Sequence, residues 1–141
     1  MNAPPRLAET IELLVPFHDL DPVNIVWHGN YVKYLAHARD ALMTRLGFSY
    51  PQMQECGFVF PVIDVRLRYL RPARLGQRLR IAAELVETDP RLVVRYVITD
   101  AQSGVRILRG HTTQVPVDAQ TGVMSYRAPA ALLERVGRVQ R

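Results

Sequence analysis

The chain has 141 residues, 48% of them apolar, and a formal charge of +5. That length supports one compact core rather than two domains, and that composition excludes an intrinsically disordered chain. The single cysteine, Cys56, excludes an intramolecular disulfide and a cysteine-based metal site, and no apolar run approaches the roughly 20 residues of a membrane span.

Residues 1–9, with paired prolines and no periodicity, read as a loose arm, and nothing in them resembles a signal peptide. Ile11, Leu13, Val15 and Phe17 alternate, which predicts a strand. Pro22, Asn24 and Gly29 mark an irregular connection. Tyr31, Tyr34, Leu35, Ala38, Leu42 and Leu46 then follow helical spacing across residues 30–46, with Gly47 at the stop. Val32, Ala36 and Met43 add apolar surface, so this helix is expected to be buried on much of its circumference.

Residues 48–57, with Pro51 and Gly57, read as a link. Ile63, Val65, Leu67 and Tyr69 alternate with Asp64, Arg66 and Arg68, the clearest strand signal in the chain. Further strands are predicted over 77–88, 92–100 and 105–117, separated by turns at Asp89-Pro90-Arg91 and Gln102-Ser103-Gly104. Residues 119–141 form a tail with a short helix near 129–136. One strand, one apolar helix and four antiparallel strands make a single α+β domain. Its exposed sheet edge points to a homodimer or homotetramer.

Chemistry concentrates between Asp19 and Asn30. Asp21 precedes Pro22, whose ring holds it away from helical geometry. An Asp-Pro turn alone carries no chemistry, but Asp19, Trp27, His28, Gly29 and Asn30 share this short segment. A carboxylate facing the first N–H groups of a helix suits attack on a carbonyl, because those donors stabilise the oxyanion that develops. Gly29 permits close approach of a substrate, and Trp27 offers a wall for its acyl group. His28 offers a hydrogen bond or a proton, or contributes only its backbone. Asn30 either caps the helix or meets the substrate. His18, His37 and His111 with Asp19 or Asp40 match no metal-ligand spacing, and Cys56 reads as a buried structural thiol.

The run Asp19-Leu-Asp21-Pro followed by Ile25-Val-Trp-His-Gly-Asn-Tyr31 resembles the 4-hydroxybenzoyl-CoA thioesterase family of hot-dog proteins. Val65 to Gly76, with its Arg71-Pro72-Ala73 turn, resembles that family's second strand and following turn. The matching regions span roughly residues 11–118. The resemblance implies a hot-dog fold, an antiparallel sheet wrapped around a long helix. It implies hydrolysis of acyl or aroyl thioesters of coenzyme A or acyl carrier protein, without a cofactor. Asp21 is then the catalytic carboxylate, the backbone around His28 and Gly29 the oxyanion contact, and Trp27, Asn30, Tyr31 and Phe60 the acyl-binding candidates. Arg91 falls near the place where the family holds the phosphates of coenzyme A. The absence of a signal-peptide pattern and the single cysteine make a cytoplasmic location the default.

Two other classes compete. A hydratase or dehydratase of the same fold needs a His-containing motif that is absent, whereas a non-catalytic thioester-binding module has no need of Asp21. Arginine carries nearly all the positive charge, since Lys33 is the sole lysine. Its forks suit phosphate, although a codon bias toward arginine gives the same composition. The arginines are scattered, without an aromatic–basic stripe, which argues against nucleic acid.

Overall fold

A computed structural model describes residues 7–140. Seven strands and three α-helices follow in chain order: β1 (Ala8–Leu14), α1 (Asn30–Arg45), α2 (Tyr50–Glu55), β2 (Phe58–Val59), β3 (Val62–Tyr69), β4 (Arg78–Glu87), β5 (Leu92–Asp100), β6 (Arg106–Gln114), β7 (Val117–Asp118) and α3 (Ala130–Gln140). Five strands form one antiparallel sheet in the order β1-β4-β5-β6-β3, and β2 pairs with β7 separately. The helix α1 lies across β1 and β4.

Alternation along the central strands explains why the helix lies where it does. Leu79, Ile81, Ala83 and Leu85 of β4 and Leu92, Val94, Tyr96 and Ile98 of β5 are all buried on one face. They meet Tyr31, Tyr34, Leu35, Ala38 and Leu42 of α1 in a single core, each large side chain contributing about 1.5–3 kcal/mol by leaving water. The Tyr96 hydroxyl, buried on that face, shares a hydrogen bond of 2.8 Å with Thr112 Oγ1 on β6. The buried stripe of α1 is narrower than its sequence suggests: Val32 is exposed, and so are Lys33, His37 and Asp40. Gly47 ends the helix at φ +75°, a conformation that favours glycine.

Four boundaries differ from the sequence reading. The first strand begins at Ala8, inside the expected arm, because its backbone pairs with β4 from Ala8↔Glu84 to Leu14↔Arg78. The rest of that arm, residues 1–6, lies outside the described residues. Phe17, expected on the strand's apolar side, instead sits exposed in a 3-10 turn over Phe17–Asp19. The expected link holds α2, opened by a reciprocal Ser49–Gln52 capping box with Pro51 in the first turn, where its missing N–H costs nothing. Finally, α3 runs on to Gln140 and buries Leu132 and Val136. Among the described residues no helix is long and apolar enough to cross a membrane.

The outermost strand, β3, pairs only with β6, and most of it is exposed on both faces. At their contact Gly110 has a specific role. A Cβ there would lie 2.3 Å from the Arg66 carbonyl oxygen and 2.9 Å from Leu67 Cδ2. The carbonyl has no room to withdraw, since it is backbone in the paired ladder. Gly110→Ala is therefore expected to destabilise the fold by about 1–3 kcal/mol, read as a lower urea midpoint with an unchanged slope.

Candidate active site

Two aspartates, two residues apart, have opposite surroundings. Asp19 is only 3% exposed. Its Oδ1 accepts from Lys33 Nζ at 2.8 Å and its Oδ2 from the Tyr34 hydroxyl at 2.6 Å, both in the first turns of α1. Its carbonyl oxygen accepts from the Trp27 N–H at 3.0 Å and from Asn30 Nδ2 at 2.8 Å. Burial pushes the Asp19 carboxyl up. The hydrogen bonds from Lys33 and Tyr34 and the charges of Lys33 and His18 outweigh it, so the carboxyl titrates below its ordinary range. Burial, then the bond to Asp19, raises the Tyr34 phenol.

Asp21 is held by its own loop. Its Oδ1 accepts from the N–H groups of Val23 at 2.9 Å and Ile25 at 3.3 Å. Its N–H donates to Ile25 O at 2.8 Å, and Asn24, at φ +65°, completes the turn. The second carboxylate oxygen, Oδ2, has no protein partner among the described residues. The loop is also stitched to the segment after β3, where the Val26 N–H donates to Ala73 O at 2.9 Å. One oxygen anchored and one free is an arrangement that can present a nucleophile or a base at a fixed place.

A cavity of about 260 Å³ lies beside this loop, lined by Asp21, His28 and Tyr31 together with Tyr69, Leu70, Arg71 and Pro72. The Tyr69 hydroxyl donates to the His28 carbonyl oxygen at 2.8 Å, tying the end of β3 to the start of α1. Tyr31 packs edge-on against Tyr69 at 5.5 Å, and its hydroxyl accepts from the Ala73 N–H at 3.1 Å. Burial raises the Tyr31 phenol against that bond, and the neighbouring Tyr69 and the Asp21 charge add to the rise. Tyr31 therefore stays protonated beside the carboxylate. The N–H groups of His28 and Gly29 have no protein acceptor among the described residues.

The other sequence candidates lie outside this cavity. Trp27 is half-exposed, and its ring lies over Gly29, where a Cβ would approach it to 2.3–2.9 Å. The indole, then, fills the space that Gly29 leaves on this side. Asn30 does not cap α1: Gly29 holds the cap position, and the Asn30 amide reaches back to Asp19. Phe60 is a core residue packed edge-on against Phe48 at 5.8 Å. Arg91 sits on the β4–β5 hairpin with its Nε 3.4 Å from Glu87. Sequence reasoning overlooked Tyr69 as a wall of the cavity, because alternation marked it only as an apolar position of a strand. It also overlooked the Asp19–Lys33–Tyr34 cluster, although the lone lysine one turn into the helix was a signal. Cys56 is half-buried and donates to Met53 O at 3.1 Å.

The sequence profile of the thioesterase-like superfamily matches residues 15–136. The chain belongs to that superfamily. Thioester hydrolysis is accordingly its activity class, and its fold is the hot-dog fold. It is 30% identical over 120 residues to a Synechocystis protein provisionally named an esterase, covering 84% of this chain and 72% of that one. It is 35% identical over 66 residues to a Bacillus subtilis protein provisionally named an acyl-CoA thioesterase, covering 47% and 48% of the two chains. A 4-hydroxybenzoyl-CoA thioesterase variant solved with 4-hydroxybenzoyl-CoA superimposes with a TM-score of 0.80 at 20% identity, over 91% of this chain and 97% of that one.

Because Asp19 is buried and charged, its removal is a direct test of what holds the loop. Asp19→Asn keeps the shape and loses the charge, and is expected to cost about 1–3 kcal/mol in urea unfolding at neutral pH. The folded carboxyl titrates below its unfolded value, so this stabilisation is present above the ordinary carboxyl value of 3.8 and fades as pH falls through the lower folded value. The gap between native and variant stability is thus constant from pH 5 to 7 and closes only below about pH 4. A gap that is already closing at pH 6 contradicts the assignment.

Proposed function

We propose that this protein hydrolyses acyl or aroyl thioesters of coenzyme A at the Asp21 cavity. The observation that carries the reading is the division of the Asp21 carboxylate, with Oδ1 fixed by two loop amides and Oδ2 without a protein partner among the described residues, in a residue that lines a cavity with His28 and Tyr31. Asp21 supplies the oxygen nucleophile, either its own or that of a water it deprotonates. As the new C–O bond forms, the carbonyl oxygen takes up negative charge, which the unpaired His28 and Gly29 N–H groups at the positive end of α1 are suited to receive. The C–S bond then breaks and the thiolate takes a proton; where the attacking oxygen was Asp21's own, water cleaves the resulting anhydride, so either route ends with a carboxylic acid and a thiol. Tyr31 and Tyr69 wall the acyl end. Arg71, with no carboxylate within ion-pairing reach among the described residues, supplies positive charge at the mouth for the phosphates of coenzyme A. The relative named as an acyl-CoA thioesterase supports coenzyme A as the carrier. We place the protein in the cytoplasm, where a free thiol such as Cys56 stays reduced.

The working unit we propose is a homodimer joined along β3. That strand leaves one edge unpaired and, with the residue after it, exposes Val62, Ile63, Val65, Tyr69 and Leu70, the last two of which also line the cavity. A second copy placed on this edge covers the apolar row and closes one side of the site.

Thiol release from a panel of acyl- and aroyl-CoA substrates tests the chemistry. Asp21→Ala is expected to lower kcat by about 10²–10⁴-fold with KM little changed, because the carboxylate acts in the chemical step. In the same assay His28→Tyr keeps most of the activity if the backbone is the donor. Full activity in Asp21→Ala sinks the assignment.

Sedimentation tests the assembly. The native chain is expected to run as a dimer or a larger even-numbered assembly, and Ile63→Lys with Val65→Lys as a monomer of reduced activity. A native monomer with full activity excludes the dimer.

A further inference from the structure

A cavity of about 390 Å³ is separate from the one at Asp21 and shares no lining residue with it. It lies on the outer face of the sheet, opposite the core side. Register places two basic rows there. Arg66 on β3 stands opposite His111 on β6, which stands opposite Arg95 on β5. One step along, Arg68 stands opposite Arg109, which stands opposite Val97.

A bulge adds a further arginine. Ile98 pairs with Leu108 but the next residue, Thr99, pairs with Arg106, so Ile107 is the extra residue and both Ile107 and Leu108 are buried. Without the bulge, Arg106 and Arg109 would point to opposite faces. With it, both line the same trough.

The charges in this trough are unevenly matched. Asp64 lies 3.5 Å from Arg66 and 3.7 Å from His111, and Glu84 pairs with Arg95. Arg68, Arg106 and Arg109 have no carboxylate within ion-pairing reach among the described residues. Like charges directly opposite in a ladder destabilise it, so the Arg68–Arg109 pair opposes folding unless an anion sits between them. A second copy of the sheet packed on this face would set arginine against arginine, which makes a self-interface a poor occupant.

We infer that this trough binds a small molecule carrying a di- or triphosphate, at a site apart from the thioester cavity. Three unneutralised guanidinium forks match the bidentate oxygens of such a group. The volume lies within the usual ~300–1,000 Å³ of small-molecule sites, and the Val97 side chain gives the floor an apolar patch for the rest of the ligand. This inference stands whether or not Asp21 is catalytic.

Isothermal titration of the full chain with sodium tripolyphosphate at low ionic strength is the test, with sulfate as the simple anion. Tripolyphosphate is expected to bind at least about 10-fold more tightly than sulfate, and Arg68→Gln, Arg109→Gln and Arg106→Gln each to weaken it by about 10-fold or more. Arg78→Gln, which removes an equal charge at an exposed ion pair with Glu12, is expected to change it less than about 2-fold. Urea unfolding without ligand should show Arg68→Gln and Arg109→Gln at least as stable as the native chain, since each relieves the opposed pair. Asp21→Ala is expected to bind tripolyphosphate as the native chain does, which separates this site from the thioesterase reading. No binding at millimolar tripolyphosphate overturns the inference. Equal affinity for sulfate overturns it as well, and so does an Arg78→Gln loss matching that of the trough variants.

Discussion

The position of the whole Asp19–Asn30 segment depends on one buried carboxylate. An ionised group taken out of water is tolerated only when its lone pairs are met, and Asp19 meets this condition with Lys33 and Tyr34. Those partners lie on the first turns of α1, so the bonds set the distance between the 3-10 turn and the helix start. The carbonyl of the same residue then receives Trp27 and Asn30, which fixes the intervening loop at its far end. With both ends held by Asp19, the Asp21 turn between them closes on its own amides. The two aspartates thus divide the work. One is spent on structure so that the other can keep an oxygen free.

The end of β3 completes the arrangement from the other side. Tyr69 reaches the His28 carbonyl, and Ala73 bonds to both Tyr31 and Val26. Yet β3 is the least supported strand in the sheet, held only by β6 and exposed on both faces. The proposed dimer along this edge would support a cavity wall that the single chain pairs on one side only.

Much of this was legible in the sequence. Helical spacing from Tyr31 to Leu46 and alternation along the later strands gave the α+β order, because both patterns follow directly from which side chains must leave water. The Asp21 loop stood out through the density of chemically capable residues. What could not be read were effects of long-range pairing. The register with β4 drew Ala8 and Glu9 into a strand. The Ser49–Gln52 capping box, by contrast, is a local signal, passed over because Pro51 reads as a breaker. Asn30 was expected to cap or to bind, and its amide instead serves Asp19, a residue 11 positions away. Trp27 and Phe60 show the same limit, since an aromatic ring near a loop can equally wall a cavity, cover a glycine or fill the core.

The arginines illustrate the point at the scale of the whole molecule. In sequence they are scattered and form no block, yet the antiparallel register gathers Arg66, Arg68, Arg95 and Arg109 on one sheet face and the bulge at Ile107 turns Arg106 to join them. None of these residues lines the Asp21 cavity, and no arginine comes within ion-pairing distance of Asp21 among the described residues. An ion pair there would occupy the oxygen proposed to attack, or to activate water at, a thioester carbonyl. By anchoring Asp21 with backbone amides and gathering five arginines in a trough apart from it, the fold lets a strongly basic protein keep an unpaired carboxylate in this loop.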